Sequence, residues 1–128
     1  MTLTAIVVLS ALTACASPAP KPAPVEHLVF VWLKDRGNAE HIRALEEASR
    51  SFSIIPGIQQ VETGRALASN RPIVDSSYDL AIRIRFDSAE ALGAYATHPL
   101  HVEKREQVLV PLVDRLQIYD FRINFPYQ

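Results

Sequence analysis

Apolar residues recur along this chain with two different periods, and the change from one to the other marks its elements. Tyr78, Leu80, Ile82, Ile84 and Phe86 alternate with Asp79, Ala81, Arg83 and Arg85, the period of two expected of a half-buried strand. Glu26 to Lys34 holds Leu28, Val29, Phe30, Val31, Trp32 and Leu33 in succession, a β-branched and aromatic run that also predicts a strand. After a turn at Asp35–Gly37 the spacing lengthens. Ile42, Leu45, Ala48, Ser49 and Phe52 fall on one stripe of a helix that Asn38 is placed to cap, and Pro56-Gly57 stops it. A weaker strand is expected from Ile58 to Ala66, at a sheet edge because of its low propensity. Leu67 to Ser77 predicts a long loop. Asp87 is placed to cap a second helix, with Glu90 at the capping-box position. That helix breaks at His98-Pro99 and resumes to about Val110, and Arg115 to Asn124 is the last predicted strand.

The order βαββαβ argues an α+β domain of ferredoxin-like type, an antiparallel sheet with both helices on one face. On the first strand His27, Val29, Val31 and Leu33 point one way, and Leu28, Phe30 and Trp32 the other. Both faces are apolar, yet helices cover only one. A second copy of the sheet is the simplest cover for the other, so a homodimer with its sheets face to face is expected.

With 128 residues one domain is expected. A net charge of −1 supplies no basic field for nucleic acid or an anionic membrane surface. Cys15 is the single cysteine, so no intrachain disulfide can form. Met1 to Ala16 is uncharged and apolar, too short to span a bilayer but the right length for the core of an export signal. Leu12-Thr13-Ala14-Cys15 resembles the lipobox of bacterial lipoproteins, in which cleavage precedes a cysteine that is then acylated. Ala14-Cys15-Ala16 also fits an ordinary secretory cleavage site. Residues 1–14 are thus expected to be a lipoprotein signal and Cys15 the lipidated residue. Residues 15–24, with proline at every second position from Pro18, form an extended tether. The domain, residues 25–124, would then sit in the bacterial envelope, outside the cytoplasmic membrane.

Candidate chemistry concentrates in Tyr95-Ala96-Thr97-His98-Pro99-Leu100-His101. Tyr95 and His101 would lie on different faces of an unbroken helix, and the break at Pro99 is what allows them to converge. An imidazole near its ordinary pKa of about 6.5 is a plausible base. The alternative is that His98 and His101 close the helix break by bonding freed backbone groups. His98-Pro-x-His101 is not a dedicated metal-ligand spacing, even with His27, Glu103 and Glu106 nearby, so neither a metal nor a cofactor is expected. Phe30 and Trp32 read as dimer-core packing. Arg83 and Arg85 need partners, with Asp79, Glu62 or Asp120 as candidates and an anionic ligand as the alternative. His41 is expected on a solvated helix face.

Several words in this chain occur together in a known family. They are His27-Leu-Val-Phe, Ile55-Pro56-Gly57, Tyr78-Asp79-Leu80, Phe86-Asp87-Ser88, Tyr95-x-x-His98-Pro99-x-His101-Val102 and Ile118-Tyr119-Asp120-Phe121. In their order and spacing, from about Glu26 to Phe121, the chain resembles the stress-responsive dimeric α/β-barrel (Dabb) family. The resemblance implies the ferredoxin-like fold and the dimer. One member class, the olivetolic acid cyclase type, implies a histidine that takes a proton beside a carbonyl and a tyrosine that orients it. The matching positions are His101 and Tyr95, and His27 matches a further pocket histidine. The third-strand histidine of that class is Leu80 here, a departure from the cyclase pattern.

Three functional readings follow. One is a module binding a small apolar or aromatic molecule in a pocket of His27, Val29, Leu80, Ile82, Tyr95 and His101. The others are a proton-transfer enzyme using His101 and Tyr95, and a purely structural dimer.

Overall fold

The computed structural model describes residues 22–124. The export signal, Cys15 and most of the tether lie outside the described residues. Strand β1 (Val25–Leu33) leads to helix α1 (Ala39–Ser51). Asn38 caps that helix as expected, its side chain accepting from the backbone N–H groups of Glu40 and His41. Strands β2 (Ile58–Gly64) and β3 (Leu80–Phe86) follow, then helices α2 (Ala89–Thr97) and α3 (Pro99–Lys104). A π-helical turn (Arg105–Leu109) and the short helix α4 (Val110–Leu112) lead into the last strand, β4 (Val113–Arg122). Ser88, not Asp87, caps α2, accepting from the Ala91 N–H at 3.1 Å. Serine one residue on reaches the same free donors of the first turn, so the helix starts one residue later than expected.

The strands form one antiparallel sheet in the order β2-β3-β1-β4. The fold is thus ferredoxin-like α+β, with β2 at an edge as its propensity suggested. Val25, Val29, Val31, Leu33, Leu80, Ile82, Ile84 and Phe86 bury their side chains against Ile42, Leu45, Phe52 and Tyr95, so the core lies between the sheet and the helices. Two buried carboxylates hold the frame. Asp79 accepts from the backbone N–H of Leu33 (2.8 Å) and of Gly37 (2.9 Å) and pairs with Arg36. It thereby ties the β1–α1 turn, where Gly37 has φ +74°, to the start of β3. Glu26 does the equivalent on the face of the sheet away from the core, where Arg83 and Arg85 both bind its carboxylate.

That second face carries no helix. It presents Phe30, Tyr78 and Tyr119 in edge-to-face contact, and the Arg115 guanidinium lies 3.4 Å above the Trp32 ring. Arg83 also meets Glu62. Asp79 and Asp120, the other candidate partners of the two arginines, are engaged elsewhere: Asp79 with Arg36 and Asp120 with His27. Pairing across adjacent strands at the Glu26↔Arg85 register explains the choice. Trp32 Nε1 donates to Ser77 Oγ at 3.0 Å, which draws the end of the β2–β3 loop onto this face.

Candidate functional site

A cavity of about 360 Å³ opens between the helix-facing side of the sheet and the α2–α3 region. Val29, Ile82, Ile84, Leu109, Leu116 and Ile118 give it an aliphatic wall, and His27, Tyr95, His101, Arg105 and Asp120 the polar groups. Its size falls within the range of pockets that take small molecules, roughly 300–1,000 Å³. The β2–β3 loop is not among its walls; that loop flanks a groove on the opposite face of the sheet, through Asp75 and Tyr78.

The helix break makes the site. His98 ends α2 and begins α3, its extended backbone (φ −64°, ψ 134°) imposed by Pro99. His98 Nδ1 accepts from the Leu100 N–H at 3.2 Å, so this histidine caps α3. The turn in direction brings Tyr95 and His101 together, with ring centres 4.2 Å apart and planes tilted by 39°. Phe52 packs edge-on against both, at 5.5 and 5.6 Å, and His27 lies 6.0 Å from Tyr95. The three residues named from the sequence as chemically capable therefore share one chamber.

His101 Nδ1 lies 3.1 Å from the Ala96 carbonyl oxygen. A carbonyl only accepts, so Nδ1 carries the hydrogen and Nε2 keeps the unshared pair in the neutral ring. Both expected roles of His101 thus coincide: one nitrogen closes the helix break and the other remains available. Desolvation lowers the His101 pKa, the nearby charge of Arg105 adds to this, and the bond to Ala96 opposes it. Burial pushes the Tyr95 phenol well above its usual range. His27 Nδ1 meets Asp120 Oδ1 at 2.6 Å across the β1–β4 rung.

Val29 and Ile82 line the cavity as expected, but Leu80 does not. Leu80 is 0% exposed, buried in the core at the Val31 rung, two residues beyond Ile82. Asp120 and Arg105 are wall residues that the sequence reading did not place there. For Asp120 the signal was available, because the parity that puts Ile118 on the helix-facing side of β4 puts Asp120 there too. Arg105 lies in the π-helical turn, whose extra residue no periodicity announced. His41 departs from a solvated position, since its Nδ1 is buried without a partner. Among the described residues, no group of three or more histidine, cysteine, aspartate or glutamate side chains is placed to hold a metal.

The sequence profile of the Dabb family, described as the Stress responsive A/B Barrel Domain, matches residues 25–123. A stress-response A/B barrel domain-containing protein of Arabidopsis thaliana is 22% identical over 106 residues, which are 83% of this chain and 39% of that protein. The chain therefore spans about two fifths of that relative's length. A dimeric protein of ferredoxin-like fold from Bacteroides fragilis superposes with a TM-score of 0.64 at 22% identity, covering 81% of this chain and 100% of that one. A hydroxynitrile lyase from Passiflora edulis gives 0.68 at 18% identity, covering 84% and 99%.

Proposed function

Since the chain belongs to the stress-responsive A/B barrel domain (Dabb) family, we propose that it is a dimeric barrel protein holding a small apolar or aromatic molecule between sheet and helices. The observation that carries this is the cavity itself. It leaves about 360 Å³, largely aliphatic in its walls, open to water beside a half-buried histidine, and an apolar occupant would recover the free energy of covering those walls. Structures of this fold described as dimeric support the dimer, and the aromatic residues on the helix-free sheet face favour that face as the place where the copies would meet. Native mass spectrometry of the full chain, purified gently from its host's envelope, tests the binding. A discrete extra mass that disappears in Ile118→Trp, which fills the cavity from its wall, is the expected result. No added mass on the unaltered protein would sink it.

A proton-transfer enzyme is the second reading, favoured by one observation: His101 has its tautomer set by Ala96 and stands against Tyr95. His101 would take the proton through Nε2, and Tyr95 would donate a hydrogen bond to the oxygen that gains charge. Turnover lost in His101→Ala but binding retained would distinguish this from a carrier. We further propose that Cys15 anchors the protein by lipid outside the cytoplasmic membrane. Labelling with a fatty-acid analogue should mark the protein and fail to mark Cys15→Ser.

A further inference from the structure

The polar groups of the cavity gather at one end. His27 and Asp120 face each other across one rung of the sheet, Val29 and Ile118 occupy the next rung on that face, and Val31 and Leu116 the one beyond. Tyr95 and His101 close over the His27 end. What matters for a bound molecule is which of these groups donate and which accept.

His101 donates through Nδ1 to Ala96, leaving Nε2 as an acceptor in the neutral ring. His27 Nδ1 donates to an aspartate oxygen, and in the neutral ring its own Nε2 is then a second acceptor. Asp120, about half-exposed at the rim, gives one oxygen to His27; an ionised carboxylate carries no hydrogen, so its other oxygen accepts there. Against these acceptors stand two donors, the Tyr95 hydroxyl and, at the rim, the Arg105 guanidinium. Among the described residues, only His41 Nδ1 is sealed from solvent without a partner, so the free atoms of His27, Tyr95 and His101 are open to solvent, and all three residues line the cavity. When an occupant displaces water, every acceptor left without a hydrogen weakens binding.

We infer that the occupant is an apolar body ending in a hydrogen-bond donor, such as a phenol or an alcohol, and that ethers and carboxylates of the same shape are rejected. An ether brings no hydrogen to the three acceptors, and a carboxylate adds negative charge beside Asp120. Arg105 is the group that works against this, one turn along from His101. Its guanidinium stands at the rim as Asp120 does, about half-exposed, but Glu106 Oε1 already holds it at 2.7 Å. The inference rests on the cavity being a ligand site, and the test separates the two.

The full chain in mild detergent is titrated calorimetrically with para-pentylphenol, para-pentylanisole and para-pentylbenzoate, with Ile118→Trp as the blank for uptake by detergent. The expected result is phenol binding about ten- to a hundredfold tighter than the anisole or the benzoate. That ratio should shrink in Asp120→Asn, whose amide supplies a donor of its own. Anisole binding as tightly as phenol overturns the head-group inference while leaving the cavity as a site, and so does benzoate binding tightest, which would point to Arg105. If none of the three binds above the blank, the cavity reading fails and this inference with it.

Discussion

Glu26 is 3% exposed on the helix-free face of the sheet, with two guanidinium groups on its carboxylate. Burial by itself would raise that carboxyl, but the hydrogen bonds from Arg83 and Arg85 outweigh it and hold the group below its ordinary value of 4.5. A carboxyl held lower in the folded than in the unfolded chain contributes stability above the unfolded value, and the contribution is lost as pH falls through the folded one. Glu26→Gln should therefore lower stability at neutral pH by about 2 kcal/mol, the partial exposure of both arginines softening the loss. Urea titrations should show the difference from the unaltered protein closing in acid; the same difference at neutral pH and at about pH 3 would refute the linkage. At this scale the sequence was partly legible. A need for partners at Arg83 and Arg85 could be read from their parity, and Glu62 was among the candidates. Glu26 was not, because its place opposite Arg85 depends on strand register, which a single strand's pattern leaves open.

The element that shapes the site is the broken helix, and a glycine far from it in sequence sets how it sits. Gly57 has φ +86°, and a Cβ built there would lie 2.5 Å from the Ala91 Cβ on α2. Its carbonyl also accepts from the Asp87 N–H at 2.9 Å, one residue before the cap of that helix. Gly57→Ala should thus both strain the turn and push α2 away from the sheet. A loss of about 3 kcal/mol in a thermal or urea melt is expected, and a change under about 1 kcal/mol would show the contact to be soft. Pro56-Gly57 was legible as a helix stop, and His98-Pro99 as an interruption. The convergence of Tyr95 with His101 was allowed by that interruption but not fixed by it, because it depends on the angle between α2 and α3 and on Phe52, which follows α1.

For the whole molecule, the helix-free face is where a second copy would be felt. Tyr119 is 55% exposed there, in edge-to-face contact with Phe30, and the cavity on the opposite side does not involve it. Tyr119→Lys should weaken self-association about a hundredfold or more by placing a charge in an apolar contact, with the melting of the fold barely changed. Sedimentation velocity across a dilution series measures this. A dimer indifferent to Tyr119→Lys would mean that the copies meet elsewhere.

Local chemistry determined much of this protein. Period-two and helical stripes set the element order and the parity of each strand, and with it the side of the sheet that His27, Val29 and Ile82 would face. Proline at 99 set the break, and a net charge of −1 left no basic field for nucleic acid. These follow from neighbours in the chain, where backbone sterics and periodicity act directly. Tertiary structure alone decided that Leu80 is core rather than wall, that Asp120 belongs to His27 and not to an arginine, and that Tyr95 meets His101. Each of those depends on the register between strands or the angle between helices, and the chain settles both only when its apolar faces close on one another.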